Sequence, residues 1–459
     1  MFHSGTLRNG GKMKKLSVSK MWLFAIGQLG WSMMSGLISN WLVYFYQPDK
    51  TAQEAGQTLF VPQGLVVLGI FTVVGAITAL GRVFDAVTDP WIASLSDKCK
   101  SKNGRRIPFL KFAALPLALT TVLVFCAPVG HSSILNVIWL FVFVMAYYIS
   151  ITAYCTPYNA LIPELGHDQK ERLNISTAIS LTFIVGTAFA YVAPVIWGAF
   201  EGSMGRVPAM RLTFAIMAAI AFICMLVPVF AIKEKEYVQA APSEDSALSS
   251  LVKTFRNRDF RIFVGSDIFY WVALTMFQTG LPFFVTSLLK LPENMSTIYF
   301  VAMTALSLVF YVPINLISKK IGKKKMVLTA FFLFAAAFLY TSFIGSGLGI
   351  SPVVQGFILV VAAAFPMAVF GILPQAMVAD VSQSDAKRTG ENREGMFFAA
   401  RTFAFKLGQS VSMLLFTALA TIGAGSGLGY RVVAATASVL ALIGGIILFF
   451  YNERKVNEE

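Results

Sequence analysis

Charge is what this chain lacks most. Only 13% of its 459 residues are Asp, Glu, Lys or Arg, about half the ~25% usual in soluble domains, while 56% are hydrophobic. A water-exposed surface cannot be built from so few charges, which excludes an ordinary soluble protein. Reactive side chains are scarce too. His3, His131 and His167 fall in the tail or in loops and form no histidine relay. Cys99, Cys126, Cys155 and Cys224 show no CxxC spacing, so neither a disulfide framework nor a zinc site is indicated. There is no GxxxxGK[ST] run for nucleotide phosphates, no HExxH and no nucleophile motif, which argues against ATP-driven pumping and against an enzyme. Nothing resembles the filter loop of a channel.

Apolar length is what is present. A helix needs about 20 apolar residues to cross ~30 Å of hydrocarbon. Hydropathy places spans at 20–46, 63–94, 107–128, 133–161, 172–199 and 209–232, then at 261–288, 295–318, 325–346, 352–379, 397–423 and 430–451. The polar stretch 233–260 separates six from six, and polar tails occupy 1–19 and 452–459. Within that stretch Ser246 to Phe255 carries apolar residues at helical spacing and reads as a short helix on the membrane surface. The expected fold class is an all-α membrane protein of twelve transmembrane helices in two six-helix halves, 20–232 and 261–451.

The 37 basic residues exceed the 23 acidic ones, for a formal charge of +14. Most lie in the N-terminal tail, the even-numbered loops and the C-terminus, with Lys50, Arg206 and Lys290 left to the odd loops. The positive-inside rule then puts both termini in the cytoplasm of a multi-pass protein of the cell inner membrane, and the surplus needs no nucleic acid to explain it. The leading MFHSGTLRNGGKMKKLSVSK is polar and basic, and the apolar run after it is too long for a signal-peptide core, so it reads as a retained tail. SDKCKSKNGRR follows the second span and SKKIGKKK the eighth. Basic, glycine-containing turns at matching positions suggest that the halves are repeats, with a solute site between them near midplane, as in many secondary carriers.

A charge at the centre of a span costs ~2.5 to 3.5 kcal/mol, so those present mark function. GRVFDAVTDPW puts Arg82, Asp85 and Asp89 on one helical face at spacings of three and four. Two carboxylates one turn apart in low dielectric do not both stay ionised unaided. A monovalent cation such as Na+ held by their oxygens, a bound proton, or Arg82 would each resolve the conflict. The first two make Asp85 and Asp89 ligands of a coupling ion; the third makes Arg82 and Asp85 a structural pair, with Asp89 capping the kink at Pro90. FAARTFAFKLGQSV places Arg401 and Lys406 in the eleventh span. Lys406 lies too deep to snorkel and needs an acidic partner, for which Asp85 and Asp89 are the obvious pair. Thr402, one turn earlier on the same face, offers a hydroxyl to a solute. Asp267, Glu164 and Asp380 sit nearer the cytoplasmic ends and read as latches between helices.

Three motifs in order carry a resemblance: GRVFDAVTDP with SDKCKSKNGRR, then TPYNALIPEL, then MVADVSQSDAKRTGENREGMFFAARTFAFKLGQS. The chain resembles the glycoside-pentoside-hexuronide cation symporters, the melibiose permease-like family within the major facilitator superfamily, over nearly its whole length. The resemblance implies the major facilitator fold and the following roles. Asp85 and Asp89 bind the cation, Thr152 adds a hydroxyl ligand, and Thr88 stands where an asparagine often helps. Lys406, with Arg82 nearby, links the cation and substrate sites, and Thr402 faces the substrate. Asp97 and Arg105 belong to the cytoplasmic gate, which Glu164, Asp380 and Arg401 extend. Trp31, Ser32, Tyr154, Asn159 and Gln409 are expected to join Thr402 in the cavity wall. The acidic residues that grip galactosides fall here at Ser32 and Cys155, and an expected arginine falls near Ala178, so the ion site is kept and the galactoside grip is not.

The expected function is secondary active transport by alternating access: symport of an organic solute, foremost a sugar or glycoside, with Na+ or H+, by a functional monomer in the bilayer without a resident cofactor. Animal lysophosphatidylcholine symporters resemble the same family, which makes sodium-coupled lysolipid or amphiphile transport the alternative. A non-transporting membrane solute sensor is the reading from another class.

Overall fold

The computed structural model describes residues 15–166, 169–237, 254–345, 347, 349–390, 394–423 and 425–458. Nearly all of them are helical; the isolated bridges Val67–Phe71 and Ser101–Gly104 are the only strand-like pairings among them. A first group comprises α1 (Val18–Tyr46), the short α2 (Lys50–Glu54), α3 (Val73–Asp97), α4 (Ile107–Leu123), α5 (Ile134–Leu165), α6 (Gln169–Ala190), α7 (Ala193–Met204), α8 (Arg206–Ala231) and α9 (Glu234–Tyr237). The second comprises α10 (Arg258–Phe283), prolonged by a π-helical turn at Phe284–Leu288, α11 (Asn294–Ile321), α12 (Lys323–Thr341), α13 (Pro352–Thr389), α14 (Glu394–Leu419), α15 (Leu428–Phe449) and α16 (Glu453–Glu458).

Local chemistry sets where these helices start and break. Ser17, Thr72 and Asn257 each accept the N–H three residues on, from Lys20, Gly75 and Phe260, satisfying a donor that the first turn leaves open. Pro194, at the start of α7, lacks the N–H that would continue α6, and the two helices share one apolar stretch. Ten of the described helices, joining α6 with α7 and α10 with its π-turn, are long and apolar enough to cross a membrane. The charges of α3 and the 17-residue length of α4 keep these two outside that set. The protein is thus an all-α, multi-spanning membrane protein.

One expectation needs revision. The apolar run from residue 63 does not start a helix: Gly64 and Gly69 take positive φ (83° and 71°), Leu68 joins them at 54°, and α3 begins only at Val73. Glycines at left-handed positions turn the chain before the helix can nucleate. The surface helix expected over Ser246 to Phe255 lies outside the described residues as far as Lys253; Thr254 and Phe255 are helical.

Within the first group α1 packs on α6 and α8, α4 on α5 and α8, and α3 on α5. In the second, α10 packs on α14 and α15, α12 on α13 and α15, and α11 on α13. The groups meet mainly where α3 lies against α14 and α1 against α10. Large apolar side chains such as Phe112, Leu119 and Phe230 point outward, as a hydrocarbon solvent allows.

Candidate functional site

The seam between α3 and α14 holds the intramembrane charges. α3 and α5 run parallel and in register, so that positions 67 residues apart face each other turn after turn. Thr152 Oγ1 donates to Asp85 Oδ1 at 2.5 Å, and one turn on Thr156 Oγ1 donates to Asp89 Oδ1 at 3.0 Å. From across the seam Lys406 Nζ on α14 reaches the other oxygens of both carboxylates, 2.9 Å from Asp85 Oδ2 and 2.6 Å from Asp89 Oδ2. Asp85 is only 4% exposed, and the lysine is largely withdrawn from solvent. The contact cluster therefore carries two negative charges and one positive, ringed by hydroxyls, a hard-oxygen set of the kind that suits a small cation.

Arg82 turns elsewhere. Its Nη2 donates to Ser39 Oγ at 3.1 Å, and its guanidinium sits 5.3 Å from the Tyr148 ring centre, so it is not the carboxylates' direct partner. The Thr88 hydroxyl donates to the Phe84 and Asp85 carbonyls of its own helix at 3.0 and 3.1 Å rather than to a carboxylate. Thr156 takes the place expected for it, and its position one turn beyond Thr152 in TAYCTPYN was the available signal.

Residues expected in a cavity wall divide in two. Ser32 is buried, donating to the Leu29 carbonyl against Gly186, and Tyr154 is buried, donating to the Met225 carbonyl at 2.8 Å. Both pack the interior of the first group and do not face the seam. Asn159 is exposed on α5 and Thr402 half-buried on α14. Trp31 Nε1 and Gln409 Oε1 are buried without a hydrogen-bond partner among the described residues, as are Asn40 Nδ2, Trp271 Nε1 and Thr275 Oγ1. These atoms lie on α1, α10 and α14, helices bound at this level by Thr279 Oγ1 to the Ser39 carbonyl (3.3 Å) and Ser412 Oγ to the Val272 carbonyl (3.1 Å). Trp271 also stacks on Phe405 with centroids 4.5 Å apart. Buried polar groups are rarely left unpaired, so these atoms, spread over three helices, remain open to a polar partner.

The expected gating residues sit at the end of the bundle bearing the basic loops, and each pairs within its own group. Arg106, rather than Arg105, is the partner of Asp97 (2.5 Å); both arginines reach Glu164, at 3.1 and 3.2 Å. Arg106 also bonds Ser96. In the second group Lys323 pairs with Asp380 at 2.6 Å, and Arg401 grips Asp267 through two bonds of 2.7 and 3.0 Å. The same device recurs in both groups. Glu234, after α8, accepts the N–H groups of Arg105, Arg106 and Ile107 at the start of α4 (2.7, 2.8 and 3.0 Å). Glu453, after α15, accepts those of Lys323 and Lys324 at the start of α12 (2.6 and 3.2 Å). Gly104 and Gly322 precede these turns at φ 112° and 94°, where an added Cβ would lie 2.2 and 2.6 Å from the glutamate oxygens.

The opposite end binds the groups to each other. Glu293, just before α11, accepts from Tyr44 Oη at 2.5 Å and Trp197 Nε1 at 3.0 Å and pairs with Arg206. Asp49, just before α2, accepts from Thr286 at 2.7 Å and from Ser287 on the π-turn. Sequence reading passed over both acids because each lies in a loop far along the chain from its partners.

The chain is similar to known proteins over most of its length. The Bacillus subtilis (strain 168) protein named Uncharacterized symporter YjmB is 26% identical over 440 residues, covering 94% of this chain and 88% of its own. The Xenopus tropicalis Sodium-dependent lysophosphatidylcholine symporter 1 is 22% identical, covering 72% and 69%. The crystal structure of a D-xylose-proton symporter superposes with a TM-score of 0.66 at 16% identity, covering 95% of this chain and 98% of that one, which places the fold in the major facilitator class. These are transporters, not enzymes. The MFS/sugar transport protein family matches residues 23–450, and the chain belongs to that family.

Proposed function

We propose that the protein is a secondary active transporter that moves an organic solute together with Na+ or H+, through twelve transmembrane helices arranged as two six-helix halves with both termini cytoplasmic. The observation that carries the reading is Lys406 bridging Asp85 and Asp89 from the other group of helices. One lysine holding two carboxylates occupies the place a cation would take. An arriving cation competes with it for the same oxygens, frees its charge from the seam, and so couples ion occupancy to how α14 sits on α3. Linkage requires that the ion raise solute affinity by the factor by which the solute raises the ion's. Asp85, Asp89, Thr152 and Thr156 hold the ion in this reading. Trp31, Asn40, Trp271, Thr275, Gln409 and Thr402 face the solute.

The solute side offers indole and amide donors, a hydroxyl, an amide oxygen and a stacked tryptophan. That set suits a neutral polyhydroxyl solute, a sugar or glycoside, in keeping with the family. The contacts through Glu293 and Asp49 close the end away from the basic loops, which fits a cytoplasm-facing state. A sodium-coupled lysolipid carrier is the second reading, supported by the likeness to the lysophosphatidylcholine symporter.

A thermal-shift screen of sugars, glycosides and lysolipids with and without NaCl, followed by counterflow in proteoliposomes, tests the proposal. A sodium-dependent hit that exchanges across the membrane and vanishes in Asp85→Asn supports it. Binding without exchange identifies a sensor, and gradient-driven uptake that survives neutralising both Asp85 and Asp89 refutes it.

A further inference from the structure

Away from the seam, a cavity of about 450 Å³ opens at the basic end between the turn before α4 and the end of α8. Lys102, Lys111, Lys233 and Lys235 line it, with Glu236 as the one carboxylate, leaving a surplus of three positive charges. Glu236 lies 3.6 Å from Lys233. No carboxylate among the described residues lies within salt-bridge distance of Lys102, Lys111 or Lys235. The nearby Glu234 is committed to three backbone N–H groups of α4. The cavity's lining is thus strongly cationic, with Glu236 its single anion.

Its setting is amphiphilic. Lys111 belongs to the apolar helix α4 and is followed by Phe112, 75% exposed; Phe230, equally exposed, forms part of the lining on α8. Side chains of that size stand in hydrocarbon, while Lys102 and Lys233 come from the polar segments just beyond α3 and α8 and Lys235 from the short polar α9. A ligand reaching all of these has an anionic head at the water boundary and a hydrocarbon body along α4 and α8. We propose that this cavity is a binding site for the phosphodiester headgroup of an anionic glycerophospholipid, with its acyl chains lying against Phe112 and Phe230. Basic pockets between membrane helices bind lipid headgroups by this chemistry. The site is remote from the ion cluster and does not depend on what the protein transports.

The test uses the full chain purified in a neutral detergent and dioctanoyl phosphatidylglycerol, with dioctanoyl phosphatidylcholine and glycerol phosphate as comparison ligands, read by native mass spectrometry and by titrated thermal shift. Phosphatidylglycerol should bind at least tenfold tighter than phosphatidylcholine. K102Q/K111Q/K235Q should abolish that preference, K102R/K111R/K235R should keep it, and K319Q/K320Q/K325Q, which removes the same charge from the α11–α12 turn, should change it less than twofold. Equal losses in the two glutamine triples would make the preference a property of overall charge and overturn the site. So would equal binding of the two lipids, or displacement by glycerol phosphate at matching concentration, which would identify a free anion as the ligand. Loss of the preference in the arginine triple, which keeps every charge, would overturn it as well.

Discussion

Replacing Lys406 by methionine keeps most of the unbranched side chain and removes its charge. In the structure its ammonium lies 2.6 and 2.9 Å from oxygens of Asp89 and Asp85. A cation held by those carboxylates while the lysine stayed nearby would sit about 5 Å from Nζ, and like charges at that separation repel by about 3 kcal/mol at an effective dielectric constant of ~20. Removing the lysine should therefore tighten ion binding by about a hundredfold. Without an ion, the variant instead buries two unmatched carboxylates, a situation that costs about 3 to 5 kcal/mol when a buried pair loses one member. The two effects separate in a sodium titration followed by thermal unfolding. Lys406→Met should melt below the parent in sodium-free buffer, gain more from added NaCl, and reach half its gain at far lower concentration. Uptake driven by a gradient should fail, because the ion no longer has a competitor to release it. If the ion is a proton, the same pattern appears on lowering pH. A variant whose melting point in ion-free buffer and ion response both match the parent would refute the assignment of Lys406 as the competitor.

Thr156→Val removes the hydroxyl that bonds Asp89 without changing shape, and should weaken ion affinity by about tenfold, the worth of one hydrogen bond to a charged group, as read by the same titration. Arg401→Ala breaks a buried two-bond pair with Asp267 and should cost about 3 to 5 kcal/mol in unfolding measurements, with Arg401→Lys failing to restore it because an ammonium cannot make the planar two-pronged contact. Glu293→Gln leaves Arg206, Tyr44 and Trp197 without their shared anion, so a cysteine placed at Ser287 should react with a membrane-impermeant maleimide several-fold faster, and an unchanged rate would show that this acid does not hold that end closed.

The polar exceptions were legible in the sequence, and the apolar majority was not. Asp85, Asp89 and Lys406 stood out because each is costly in hydrocarbon, and the structure joins them as their charges require. The directions of neighbouring side chains were hidden. In a soluble helix the polar face marks the outside, but lipid is as apolar as the interior, so nothing in WSMMSGLISN or ITAYCTPYNA says which face meets another helix. Ser32 and Tyr154 were expected in a cavity and turned out to pack α1 and α5 inside their own group, while Trp271 and Asn40, unremarkable in sequence, carry buried polar atoms without a partner among the described residues. The false start at residue 63 has a similar origin: hydropathy scores GLVVLGIF as membrane-spanning and is blind to the positive φ that its glycines adopt. Glu293 and Asp49 escaped because closure between distant loops leaves no periodic trace.

The glutamates that follow α8 and α15 bear on how the helices can move. Because Glu234 follows α8 directly and holds the first N–H groups of α4, it joins the end of one helix to the start of another. The two helices are thereby bound to move as one body at that end, and loss of the single carboxylate would uncouple them.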